Sequence, residues 1–230
     1  MHASEIPPAA LDATSARRGG VKRFAVDPAK TAHLVIDLQI GFLAPGAIME
    51  VPVARAIVPN VNRIAEAVRR TGGQNYFIRF AVDPGESNYW APFYERMSEE
   101  ALAGMVAAFK PGAEAFQLWP ALDVRPEDAV VDKTRLSAFI PGTCDLHDRL
   151  KARGIDTLII TGTVTNACCE STARDAMQMG YKVLFIQDGN ATWDDASHNA
   201  TLANMLMFAD VCTADEAIRR LEEGAARKAA

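Results

Sequence analysis

Six short apolar runs, separated by segments of helical periodicity, constrain this chain more than any other feature. HLVIDL (33–38), NYFIRF (75–80), AVVDK (129–133), TLIITG (157–162), YKVLFIQDG (181–189) and ADVCTA (209–214) read as strands. They are apolar nearly throughout rather than at every second residue, as expected for strands covered on both faces of a parallel sheet. Between the first two lies 53–73, where Val58, Val61, Ile64, Ala65 and Val68 recur at helical spacing and Gly72-Gly73 ends the run. Pro59 is expected to kink this helix or to mark its true first turn. Further helices are expected over 98–109, 145–154, from the Cys168 stretch to Gly180, over 194–207 and over 215–227. Strand–helix alternation of this kind predicts an α/β fold with helices on both faces of the sheet.

No internal repeat or interior linker divides the chain, so 31–230 reads as one domain. Its 230 residues suit a single α/β domain with a large core. Residues 1–30, rich in Ala, Pro, Ser and Arg and without periodicity, read as an N-terminal arm that packs on a neighbouring subunit. A net charge of −5 with no basic block argues against a nucleic-acid partner. No apolar run approaches the roughly 18 residues that cross a bilayer, so no membrane partner is expected. The opening MHASEIPPAALDATSARRGG has no apolar signal core, so a cytoplasmic location is expected. Thiols stay reduced there, so the four cysteines are not read as a disulfide framework. They show no CxxC or Cys/His ligand spacing, so no structural zinc is expected.

Ligands of open parallel sheets bind beyond the carboxyl ends of the strands, where strand order reverses. Asp37 and Lys133 close two of the apolar runs, and Cys168 follows a third at the start of a helix. Each has an ordinary reading alone: a helix cap, a solvated loop residue, a small core hydrophobe. Together they supply a base, a cation and a soft nucleophile, a set suited to acyl transfer. The helix terminus and Lys133 are expected to keep the Cys168 thiol partly ionised near neutral pH. Cys169 follows directly, and adjacent helical residues point about 100° apart, so the two cannot share one role.

LVIDLQIGF, VDKTRLSAF and TGTVTNACCESTARDAMQMGY resemble the isochorismatase-like cysteine hydrolases, over roughly residues 30–220. The resemblance implies a three-layer αβα sandwich with six parallel strands in order 3-2-1-4-5-6. It implies a catalytic triad of Asp37, Lys133 and Cys168, with Cys169 as a buried packing residue. It also implies a cis peptide between Thr163 and Val164 and an oxyanion hole formed by the backbone N–H groups of Val164 and Cys168. The implied reaction is hydrolysis of a small amide, carbamoyl or ureido compound through a thioacyl intermediate, by a homo-oligomer (dimer or tetramer) without a cofactor. Nicotinamidase relatives carry a DxHxxH metal motif after the second strand. Here that region reads DPGESNYW, without histidine, and no metal is expected.

Gln39 is a candidate to orient Asp37 or to cap the next helix, and Ser137 and Phe139 to form a pocket wall. Tyr89, Trp90 and Phe93 are candidate substrate contacts or subunit contacts. His33, placed before the first strand, and His147 read as structural, and His198 as a cap or pocket residue. Glu170 and Arg174, four apart, read as a helix-surface pair. Three other functions stand beside amide hydrolysis. A vinyl ether hydrolase of the isochorismatase type is disfavoured by the cysteine. A nucleotide-binding module is disfavoured because GTVTNA lacks the GxGxxG spacing. A thiol redox sensor would need a strained disulfide between adjacent cysteines.

Overall fold

In the computed structural model, which describes residues 1–20, 23–85 and 89–229, the apolar runs assemble into one sheet. Its strands are β1 (Thr31–Ile36), β2 (Gln74–Phe80), β3 (Ala129–Lys133), β4 (Thr157–Thr163), β5 (Lys182–Ala191) and β6 (Asp210–Cys212). They run parallel in the order β3-β2-β1-β4-β5-β6. Strand order therefore reverses between β1 and β4, which lie side by side. Every residue of both strands is buried, which is why neither shows an alternating pattern. The edge strand β3 does alternate, exposing Val130 and Asp132, and Arg79 of β2 pairs with Asp132 at 2.7 Å.

The helices, in chain order, are α1 (Pro8–Arg18), α2 (Ile40–Leu43), α3 (Ala54–Thr71), α4 (Ala91–Tyr94), α5 (Glu99–Phe109), α6 (Leu146–Ala152), α7 (Glu170–Gln178), α8 (Asp195–Met205) and α9 (Ala214–Ala229). α3 and α9 cover one face, where Ile64, Val68, Ala217 and Leu221 pack on Ile159 and Leu184. α6, α7 and α8 cover the other, where Leu150, Ala173, Ala176 and Leu202 meet Leu34, Ile36, Leu158 and Ile160. The result is the expected αβα sandwich. Local signals set the helix ends: Ser98 and Asp194 cap α5 and α8 through backbone N–H groups of Ala101 and Ser197, and Gly72, at φ +90°, stops α3. Pro59 lies inside α3, which starts at Ala54 and continues to Thr71, so the proline does not mark its first turn.

One expectation needs correction. His33 lies within β1, not before it, where it is fully buried and bonded to Thr161 Oγ1 (2.8 Å) and Asn75 Oδ1 (3.3 Å). The N-terminal arm contains α1, and its first residues dock on this chain. Glu5 N–H donates to Asn199 Oδ1 (2.9 Å), Asn199 Nδ2 donates to the Ala3 carbonyl (3.0 Å), and Ile6 packs against the core under α8. Among the described residues, no helix is long and apolar enough to cross a membrane.

Candidate active site

The chain leaves β1 at Asp37 with φ +54°, the one described non-glycine residue in the left-handed region. Side chains other than glycine adopt this region at a cost, aspartate more readily than most, and such residues cluster at functional sites. Its N–H is held by the Ile78 carbonyl (2.9 Å), and its carboxylate meets Lys133 Nζ at 2.8 Å from Oδ2. Lys133 reaches it from the end of β3, across β2, and also donates to the Arg135 carbonyl (3.1 Å). Both side chains are completely buried. A buried ion pair loses so much hydration that it is weak evidence for stability, so its presence at the switch point of the sheet calls for another explanation. Asp37 Oδ1 is buried without a hydrogen bond of standard geometry.

The third group comes from β4. A register shift between Ile160 and Gly162 bends this strand, the Thr163–Val164 peptide is cis, and a single π-helical turn, Thr165–Cys169, leads into α7. The turn is closed by the Ala167 and Cys169 N–H groups on the Val164 carbonyl, at 3.0 and 3.2 Å. Cys168 stands in this turn, 5% exposed, and its thiol interacts with both the Asp37 carboxylate and the Lys133 ammonium. Cys169 is wholly buried in the core under α7.

Burial, reinforced by the Asp37 charge and opposed by Lys133, pushes the Cys168 thiol up to about 12. The expected partial ionisation near neutral pH is therefore not what this site provides. Desolvation outweighs the lysine, and Cys168 sits in a π turn rather than at the free N-terminus of a helix. Burial likewise raises the Asp37 carboxyl, against the opposing pull of Lys133. Burial alone would lower Lys133, but the charges of Asp37 and Cys168 hold it above its ordinary value, so it stays an ammonium. Cys169 is pushed well up by burial.

A cleft of about 430 Å³ has Trp90, Arg135, Ser137, Ile140, Ser171 and Arg174 in its walls, and Asp37, Lys133 and Cys168 are not among its lining residues. It neighbours them through Arg135, whose carbonyl accepts from Lys133, and in sequence through Ser171, three residues after Cys168. Of the expected pocket residues, Trp90 and Ser137 line it. Phe93 stacks on Trp90 with ring centroids 4.4 Å apart. Tyr89 is 45% exposed, with its ring against Tyr94. Two placements differ from expectation. Phe139 is a core residue, packed among Tyr181, His147 and the sheet face under α6. Gln39 stands at the N-cap position of α2, but its side chain neither bonds Asp37 nor caps the helix. Its fully buried amide bonds the backbone N–H and carbonyl of Phe80 and the Phe116 carbonyl, bracing the end of β2 against the 109–119 loop.

Sequence reasoning missed Arg135, whose guanidinium lies 5.2 Å over the Trp90 ring, and Arg174 as a cleft residue. Arg135 sits two residues after Lys133, within reach of the same strand end, and that spacing was the available signal. Arg174 does pair with Glu170 (2.7 Å), as expected, but Glu170 also accepts from Thr201 (2.8 Å) and so ties α7 to α8.

Comparison with known proteins agrees with this geometry. The family model of the isochorismatase domain matches residues 31–216. YwoC of Bacillus subtilis (strain 168), described as an uncharacterized isochorismatase family protein, is 34% identical over 77% of this chain and 86% of its own. The ureidoacrylate amidohydrolase RutB of Methylobacterium radiotolerans is 30% identical over 87% of this chain and 85% of its own. Among solved structures, a cysteine hydrolase from Pseudomonas syringae pv. phaseolicola 1448A superposes with a TM-score of 0.79 at 28% identity, covering 88% of this chain and 97% of that one. The chain belongs to the isochorismatase family and is a hydrolase of that family.

Proposed function

We propose that this hydrolase is a cysteine amidohydrolase that cleaves a C–N bond of a small amide, carbamoyl or ureido compound. The observation that carries the reading is the buried Asp37–Lys133 pair with the Cys168 thiol against it, at the point where strand order reverses. A thiol with so high a pKa is a poor nucleophile until a base takes its proton. Asp37 is placed to do so, and the charge of Lys133 favours its anion against the opposing effect of burial. On attack, Cys168 Sγ bonds to the substrate carbonyl carbon while its proton passes to Asp37. The oxyanion that develops is met by the backbone N–H groups of Val164 and Cys168. Collapse of the tetrahedral adduct breaks the C–N bond, and Asp37 returns the proton to the departing nitrogen. Water, deprotonated by Asp37, then adds to the thioester, and Cys168 leaves as a thiol. Lys133 donates and accepts no proton in this cycle.

The name of the ureidoacrylate amidohydrolase fits a substrate carrying a ureido group and a carboxylate. Arg135, at the cleft wall nearest Lys133 in sequence, is the candidate partner for such a carboxylate, and Trp90 with Phe93 offers a flat apolar surface for the rest. The test is ammonia release over a panel of small ureides and amides, with and without a carboxylate. Wild-type protein is expected to turn over at least one, and Asp37→Asn to lose about 10²–10⁴-fold in kcat because an amide cannot accept the thiol proton. Arg135→Ala is expected to raise KM for carboxylate-bearing substrates more than for neutral ones. A folded Asp37→Asn with near-normal turnover removes Asp37 from the mechanism.

A further inference from the structure

The turn that carries Cys168 is held from outside by two hydrogen bonds to consecutive residues. Thr165 Oγ1 lies 3.0 Å from His198 Nδ1, and Thr192 Oγ1 donates to Asn166 Oδ1 at 2.8 Å. His198 is fully buried on α8, and its Nε2 is 3.0 Å from the Gln187 carbonyl. A carbonyl only accepts, so Nε2 carries the hydrogen and Nδ1 receives the Thr165 hydroxyl proton. This arrangement requires a neutral imidazole in one tautomer.

Both holding groups are in turn engaged by a residue at the far end of the chain. The His2 ring stacks on His198, with centroids 4.4 Å apart and planes 20° from parallel. Its Nε2 accepts from the Thr192 N–H (3.0 Å), so its Nδ1 carries the hydrogen and donates to Asp195 Oδ1 (2.7 Å). The His2 side chain is 2% exposed. Met1, Ala3 and Glu5 anchor the same segment through Asn60 and Asn199. His2 thus shields His198 from water that would compete for Thr165, and it fixes the backbone of Thr192 whose hydroxyl binds Asn166.

We propose that His2 is a positioning residue for Cys168, acting through His198–Thr165 and Thr192–Asn166 to hold the nucleophile's turn in register with Asp37. The consequence for turnover rests on the amidohydrolase reading. The consequence for thiol geometry does not. Displacing a reacting atom by a fraction of an ångström lowers rate without a matching change in binding.

The experiment compares full-length wild type with His2→Ala, His2→Phe and, as a control elsewhere in the arm, Leu11→Ala. It measures iodoacetamide alkylation of Cys168 by peptide mapping at about pH 9, then kcat and KM on the best ureide or amide. His2→Ala is expected to lower both the alkylation rate and kcat by about three- to tenfold, with KM held within about twofold. His2→Phe keeps the stack but loses the Thr192 bond, and should fall between wild type and alanine. Leu11→Ala should match wild type. Wild-type alkylation and kcat in His2→Ala, or an equal loss in Leu11→Ala, overturns the proposal. If wild type turns over no ureide or amide, the amidohydrolase reading fails, and the alkylation comparison still decides the role of His2.

Discussion

Burial pushes the Cys168 thiol up to about 12, more than the neighbouring Lys133 offsets. In the proposed reaction, charge separation therefore waits for substrate. Two measurements follow. The rate of Cys168 alkylation in the free protein should climb about tenfold per pH unit from neutrality towards pH 11, because only the ionised form reacts and burial has moved its pKa to about 12. A plateau already reached at pH 8 would mean that Lys133 prevails after all. The acid limb of kcat/KM should fall above the ordinary range of a carboxylate, since Asp37 must be ionised to act as base and burial raises its pKa. The neighbouring cysteine makes the contrast. Cys169 lies wholly within the core and faces no cleft, so Cys169→Val should keep turnover and cost at most about 1.5 kcal/mol in urea unfolding, as expected for a nearly volume-conserving exchange. Cys168→Ala should abolish turnover. An inactive Cys169→Val beside an active Cys168→Ala would assign the nucleophile to the wrong residue.

At the scale of elements, the site depends on how closely β4 approaches β1. Gly162 faces the end of β1, and a Cβ built there would stand 2.1 Å from the Ile36 carbonyl oxygen, at a φ of +129° that side chains rarely adopt. Glycine lets the two central strands close together one residue before Asp37 and lets β4 bend towards its cis peptide. Gly162→Ala should therefore cost at least about 2 kcal/mol in stability and depress turnover beyond what the loss of folded protein explains. Unchanged turnover per folded molecule would show that the approach of β4 does not set the geometry. This close approach is the kind of feature a sequence conceals. The buried strands were legible because β1 and β4 each carry an unbroken apolar run, Leu34–Ile36 and Leu158–Ile160, and Asp37, Lys133 and Cys168 stood out as chemistry at the ends of such runs. Their strand order and the cis bond came through the family resemblance. Gln39 and Phe139 were misread because position beside a candidate catalytic residue says nothing about which way a side chain turns. Gln39 turns into backbone left unpaired at the end of β2, and Phe139 turns into the core. α1 was missed because its 11 residues start on Pro7-Pro8 and carry no apolar stripe to mark them as helical.

Across the whole molecule, two histidines buried on different sides of the sheet make folding sensitive to acid. Burial lowers His33 from 6.5 to about 3, against the opposing hydrogen bond with Asn75. Burial, with the nearby His2, lowers His198 from 6.5 to about 4. Each is neutral in the native protein where the unfolded chain binds a proton. Their contribution is thus fully present above pH 6.5 and is lost as the pH falls from there towards the folded values. The loss approaches about 1.4 kcal/mol per pH unit for each histidine, or about 2 kcal/mol for each between pH 7 and pH 5. Asp37 works in the opposite sense: its raised pKa lets the native state bind a proton more readily than the unfolded chain, which softens the decline at the acid end. The net expectation is a urea midpoint clearly lower at pH 5 than at pH 7. His33→Gln, which keeps a hydrogen-bonding side chain between Thr161 and Asn75 but cannot titrate, should flatten that slope by about one histidine's share whatever its effect on absolute stability. A wild-type midpoint that does not move between pH 7 and pH 5 would show that His33 and His198 titrate alike in the folded and unfolded chain. The neutral tautomer assigned to His198, and with it the hydrogen bond holding Thr165, would then have to be abandoned.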